Sequence, residues 1–335
     1  MKTPLQHNLD IMDSMTPALR YDGKQDFNEW KKELRAKLVE LTGFDTFKKC
    51  DPKFTIEYEK TTDTYREIRF TLQSEEGYVF PSVLRVPLGV EGKIPVVICL
   101  QGHSTGFHIS LGQPIYPRDQ ASISGGDRDF AVRIIKEGYA ALAIEQRNFG
   151  EAGGAGENGP DCYISTMTAL MLGRTTIAER VWDVSCAIDA IEEHFDFLDA
   201  DKVYCMGNSG GGTTTFYAAC LEERIKMAMP SCSVCTYRDS IMPQHHCSCN
   251  FIPNSAKYFD MGDLTALIAP RKLVIVNGKE DVIFPDNGVK ETFEITKKMY
   301  KLAGAEDNCA LVTGEEGHRF YADASWPVFK KLENK

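Results

Sequence analysis

Gly207-Asn208-Ser209-Gly210-Gly211 is the stretch on which the reading of the chain turns. Before it runs Asp201-Lys202-Val203-Tyr204-Cys205-Met206, which ends as a short apolar run with the character of a buried strand. After it, Gly212-Thr213-Thr214-Thr215-Phe216-Tyr217-Ala218-Ala219-Cys220 can start a helix. Strand, G-x-S-x-G and helix together make a nucleophile elbow, a sharp turn that strains the serine backbone and points its hydroxyl out of the sheet. The turn needs small residues at Gly207 and Gly211, where the chain passes close to its neighbours. It also leaves the N–H of Gly210 free at a helix N-terminus, where it can stabilise an oxyanion.

Outward from the elbow, apolar runs alternate with helical segments. Tyr65 to Leu72 and Val79 to Val86 predict an antiparallel hairpin around Ser74-Glu75-Glu76-Gly77. Buried strands are predicted at Ile94 to Leu100, Ala140 to Glu145, Ile225 to Met229, Lys272 to Val276 and Cys309 to Val312. Helices are predicted over 130–137, over 166–195 with a break near Gly173, and over about 287–302 and 323–333. This alternation predicts an α/β fold, a mostly parallel central sheet with helices on both faces. Phe27, Trp30, Leu34, Leu38 and Leu41 recur at helical spacing up to Gly43 and predict an amphipathic helix laid on the body of the protein. Residues 1 to about 25 read as polar and irregular. The expected organisation is an N-terminal helical extension over 1–60 and a catalytic domain over 61–335, with 231–262 as a cap-like insertion.

Composition narrows the function classes. The 335 residues carry 38 basic and 48 acidic side chains, a net charge of −10, with no basic run. Nucleic acid and anionic membranes are therefore not expected as partners. Met1 to Asp10 has no apolar signal-peptide core, and no stretch is long enough to span a bilayer. With eleven cysteines in no regular framework, the expectation is a cytoplasmic protein with reduced thiols. A homo-oligomer is left open.

A serine hydroxyl needs a base, and the base needs an orienting acid. Asp281 follows the strand ending at Val276, and His318 follows the last strand, so serine, acid and histidine occur in the order expected for loops after late strands. Glu280 is the rival acid. The second oxyanion donor is expected from Gln101-Gly102-His103-Ser104, at the N–H of His103 or one residue on at Ser104.

These residues together resemble the α/β-hydrolase superfamily, within it the acetyl xylan esterase and cephalosporin deacetylase-like hydrolases, near dienelactone hydrolases and prolyl oligopeptidases. Leu172-Gly173-Arg174-Thr175, Arg180-Val181-Trp182-Asp183 and Ala187-Ile188-Asp189 look like the long helix before the elbow in that group. Glu145-Gln146-Arg147-Asn148-Phe149-Gly150 stands where those proteins carry an aspartate-x-arginine-glycine turn. Gln101 and Gly210 depart from the histidine and glutamine usual in deacetylases. The resemblance implies the α/β-hydrolase fold and a serine esterase acting on a small-molecule, acetyl-type ester, on acetylated carbohydrate or a xenobiotic, without a cofactor. A peptidase or amidase and a non-catalytic binding protein are the alternatives.

Phe107, Tyr116, His246 and Phe251, with Tyr237, Met242 and Tyr258, are expected to wall a compact acyl pocket. Arg174, Arg180 and Asp183 read as a solvated helix face or an ion pair bracing a loop, with substrate contact as the rival role. Cys232, Cys235, His245, His246, Cys247 and Cys249 invite a zinc assignment. Their adjacent and alternate spacing fits structural zinc poorly, so the segment is expected to be a metal-free cap.

Overall fold

The computed structural model describes residues 1–335. Nine strands form one sheet in the order β1-β2-β3-β5-β4-β6-β7-β8-β9. They are β1 Thr55–Thr61, β2 Tyr65–Glu75, β3 Tyr78–Pro87, β4 Ile94–Leu100, β5 Ala140–Ile144, β6 Leu198–Asn208, β7 Ile225–Ser231, β8 Lys272–Gly278 and β9 Cys309–Gly314. The β1–β2, β2–β3 and β3–β5 pairs are antiparallel; every pair from β5–β4 to β8–β9 is parallel. The helices are α1 Pro4–Ser14, α2 Phe27–Thr42, α3 Asp119–Gly126, α4 Phe130–Lys136, α5 Tyr163–Met171, α6 Thr176–His194, α7 Gly210–Leu221, α8 Ser255–Tyr258, α9 Met261–Leu264, α10 Asp286–Leu302 and α11 Ala322–Glu333.

The sequence reading did not place α3, α8 or α9, and two further elements differ from it. Residues 4–14, expected to be irregular, form α1. Thr3 caps it and Gln6 reaches back to the Thr3 backbone, with Pro4 in the first turn. The capping box stands in the sequence as Thr3-Pro4-Leu5-Gln6, but α1 buries no residue and so carries no core-facing stripe to mark it as a helix. The other is β1, of which all but Thr61 lies inside the 1–60 stretch assigned to the N-terminal extension. All seven of its residues are exposed, so it has no hydrophobic alternation. Backbone pairing to β2 holds it, with Glu59–Arg66 and Glu57–Arg69 ion pairs across the strands. Its charged side chains also guard a sheet edge.

Each face of the sheet carries its own core, one of 53 buried residues and one of 23. Trp30, Leu34 and Leu38 of α2 enter the larger one, and the Trp30 indole donates to Leu19 O at 2.9 Å. The helical stretch 163–194 breaks at Gly173, as its glycine predicts. Here the turn locks to the end of α2, since a Cβ at Gly43 would lie 2.1 Å from Gly173 O.

The charges on α6 brace the loop after β5. Asp183 takes two bonds of 2.8 Å from the Arg147 guanidinium and one of 2.6 Å from Ser74 Oγ, all buried. Arg174 pairs with Glu75, which also meets Arg147 at 2.8 Å. Arg180 donates through Nε and Nη2 to Arg147 O. The segment 147–150 is thereby fixed from the helix side, and this matters because Phe149 packs against the functional site.

Candidate active site

The strand–turn–helix at Ser209 has the elbow geometry. Ser209 sits at φ 56°, ψ −124°, a conformation that costs a non-glycine residue of order 1–3 kcal/mol and persists only where the surroundings enforce it. They do so here: Ser209 N donates to Ser231 O at 2.9 Å, tying the turn to the neighbouring strand. A Cβ at Gly211 would lie 2.0 Å from Leu100 O, and one at Gly207 2.5 Å from Gly211 C, so neither position admits a side chain.

Parallel register brings the other two candidates to the same edge. Asn208 is level with Ser231, Ser231 with Val276, and Gly278 with Gly314. Ser209 is thus one residue beyond its strand, Asp281 three beyond Gly278 and His318 four beyond Gly314. His318 Nδ1 lies 2.7 Å from Asp281 Oδ2. The other Asp281 oxygen accepts the N–H groups of Ile283 and Phe284 at 2.8 and 3.2 Å. Burial alone would raise the Asp281 pKa. The His318 hydrogen bond and charge, with those two donors, outweigh it and hold the carboxyl below its ordinary value. His318 therefore faces a carboxylate, which favours the tautomer with the proton on Nδ1 and leaves Nε2, unpartnered within the protein, as a base. Glu280 makes no such contact. Cys232, at the end of β7, lies beside Asp281 and His318, and its thiol donates to Arg319 O at 3.2 Å.

Two backbone donors are free beside the serine. Neither Gly210 N–H nor His103 N–H makes a bond within the protein. A Cβ built on Gly102 would lie 3.0 Å from Ser209 Cβ, so the loop after β4 passes against the nucleophile. Glu145 secures that loop by accepting from Phe107 N at 3.1 Å and Glu151 N at 3.2 Å. Burial pushes its carboxyl up to about 8, against the pull of those donors. An unperturbed glutamate titrates near 4.5, so folding takes up a proton between about pH 4.5 and 8, and the stability it contributes is full below that window and lost on rising through it. Glu145→Gln, which imitates the protonated acid, should melt increasingly above the wild type as pH goes from 5 to 8. A melting-temperature difference that does not change with pH would refute this.

A cavity of about 1350 Å³ lies beside the site and borders it at His103, with Ser209, Asp281 and His318 outside its lining; it is walled by α5, the 237–257 segment and, from the N-terminus, Leu5, Leu9, Ile11, Met12 and Met15. His246, Phe251, Tyr237 and Met242 line it as expected of pocket residues. Phe107 does not: it is buried in the smaller core, pulled down by Phe107 N–H bonding to Glu145. Tyr116 is held away by the Asp119 turn, and Tyr258 packs on the larger core under Lys37. The α1 wall was missed because its apolar face points at a cavity rather than at the core.

The six cysteine and histidine residues of 232–249 do not assemble. Cys232 goes to the Asp281 side, Cys235 reaches Pro285 O, and His246 lies near Ser240 and Asn250. Cys247 and Cys249 instead meet His103 and Cys162, two residues that local spacing could not connect to them.

Residues 8–172 match the family model described as "Abhydrolase family". The chain is 27% identical over 241 residues to "Putative hydrolase YtaP" of Bacillus subtilis (strain 168), covering 71% of this chain and 77% of that one. Among solved structures it is similar to a "putative acetyl xylan esterase" of Bacteroides fragilis NCTC 9343, with a TM-score of 0.81 and 17% identity over 99% of this chain and 95% of that chain. It is also similar to a glucuronoyl esterase of Solibacter usitatus, with a TM-score of 0.68 and 15% identity over 96% and 97%. Sheet order, the elbow at Ser209 and these likenesses give the chain the α/β-hydrolase fold.

Proposed function

We propose that the protein is a serine carboxylic ester hydrolase working through an acyl-enzyme. Ser209 Oγ attacks the ester carbonyl while His318 Nε2 takes its proton, and Asp281 holds the imidazole and offsets its charge. The tetrahedral oxyanion rests on the N–H groups of Gly210 and His103. His318 returns the proton to the leaving alcohol, and water repeats the cycle to release the acid. The observation that carries this reading is the 2.7 Å His318–Asp281 bond on the sheet edge that also presents the strained Ser209. The esterase names of the similar structures favour an ester over an amide bond.

The acyl group is short, acetyl-type, and the bulkier alcohol portion occupies the cavity. Support for the division is volume: about 1350 Å³ exceeds what a short acyl chain fills. The wall is largely apolar, with Met12, Met167, Ile241 and Met242, and suits an apolar or aryl alcohol. A fluorophosphonate should label Ser209 once per chain and abolish turnover. In nitrophenyl esters, kcat/KM should fall as the acyl chain grows past butyryl; in acetate esters it should rise as the alcohol becomes larger and more apolar. Rising kcat/KM toward decanoyl esters would place the acyl chain in the cavity and sink the division.

A further inference from the structure

We propose that His103, Cys162, Cys247 and Cys249 bind one structural Zn²⁺ per chain. Their four ligand atoms lie within 4.8 Å of one another. His103 Nε2 is 3.1 Å from Cys249 Sγ, and Cys249 Sγ is 3.3 Å from Cys247 Sγ. Four ligands at the usual zinc distances stand about 3.5–3.8 Å apart in a tetrahedron, so a small closure or expansion of this cluster suffices. Three thiols and an imidazole are a structural zinc set, and four protein ligands leave no open position for a substrate or water.

The surroundings supply a second, independent observation. Arg180 is 2% exposed and has no carboxylate within ion-pair distance. Its Nη1 points at Cys249 Sγ at 3.5 Å and its Nη2 at Cys162 Sγ at 3.6 Å, while Nε and Nη2 also bond Arg147 O. A buried guanidinium needs a counter-charge. Zinc with three thiolates and a neutral imidazole carries one net negative charge, which Arg180 neutralises. Other buried cysteines of the chain, Cys99, Cys205 and Cys220, lie singly in the cores as small hydrophobes do. These four residues converge from three separate loops.

The consequence lies in what is tied together. His103 belongs to the loop after β4, Cys162 caps α5 at the end of the glycine-rich loop, and Cys247 and Cys249 belong to the segment over the elbow. Its ring also rests on the elbow: a Cβ at Gly210 would lie 2.7 Å from His103 Cε1 and Nδ1. Zinc on Nε2 would hold that ring, and with it the backbone N–H beside the nucleophile. The site stands on its ligand geometry alone and does not depend on the esterase reading. His103, Cys162 and Cys247 also border the cavity, which gives an ion and a chelator a route in.

The test is elemental analysis of tag-free, folded protein produced in zinc-supplemented medium. The expected result is about one zinc per chain, falling to a small fraction in Cys249→Ser and in Cys247→Ser, with a lower melting temperature after chelation. Because those variants could fail to fold, chelator-stripped wild type is also titrated with Co²⁺. The visible bands of tetrahedral Co²⁺ with thiolate charge transfer should saturate at one equivalent and be displaced by Zn²⁺. Alkylation in denaturant without reductant should count all eleven thiols. Folded wild type without zinc and without the Co²⁺ spectrum overturns the proposal. So does a count two thiols short, which means a disulfide, and so does zinc retained at full stoichiometry in both serine variants.

Discussion

Ser209→Ala is expected to lower kcat for a simple aryl acetate by about 10⁴-fold or more, with KM little changed, and His318→Ala to do the same. The double variant should cost little beyond either single one, because nucleophile and base act as one unit: a serine without a base is inert, and a base without a serine has nothing to deprotonate. The residual rate over water comes from the N–H groups of Gly210 and His103 and from binding. Asp281→Asn should cost less than either, since His318 keeps its place through a hydrogen bond but meets no negative charge. Steady-state kinetics on the purified variants, with circular dichroism to show that each is folded, measure this. Near-full turnover by Ser209→Ala, or costs that multiply in the double variant, would remove the triad.

The second large effect falls on stability. Asp183→Ala is expected to destabilise the fold by about 3–5 kcal/mol, because it strips a buried Arg147 of its two-pronged partner. Glu75 remains on the other side of the guanidinium, so Arg147 is not left wholly unpaired. Ser74 Oγ also loses its acceptor. The damage should spread to the site, since Arg147 O anchors Arg180 and the adjoining Phe149 ring lies 5.1 Å from that of His103. Urea denaturation of wild type and variant gives the difference. A loss below about 1 kcal/mol, the scale of an exposed ion pair, would show that the cluster is not bracing the loop.

Local chemistry explains why so much of the site was legible. An elbow must be small at Gly207 and Gly211 whatever surrounds it, since a Cβ there strikes main chain of the same turn or the adjacent strand. Parallel strands buried on both faces must be apolar throughout, so β4, β5 and β8 announced themselves. With strand order implied by the alternation, loops after consecutive late strands had to share an edge, and Asp281 and His318 came with them. Elements that bury little were harder to read: β1, exposed along its whole length, and α1, which touches a cavity instead of the core.

By itself, then, the chain's order of residues determined the α/β alternation and the elbow and named a candidate serine, acid and histidine, because each depends on contacts within a turn or on the period of a strand or helix. Only the tertiary structure decided which residues face the cavity and which thiols meet. Phe107 was claimed by the core through its own backbone bond to Glu145, 38 positions away. His103 and Cys249 come together across 146 positions. Spacing along a chain cannot report such distances, for they are set by how loops fold back over a sheet, and the sheet exists only once the whole core has formed.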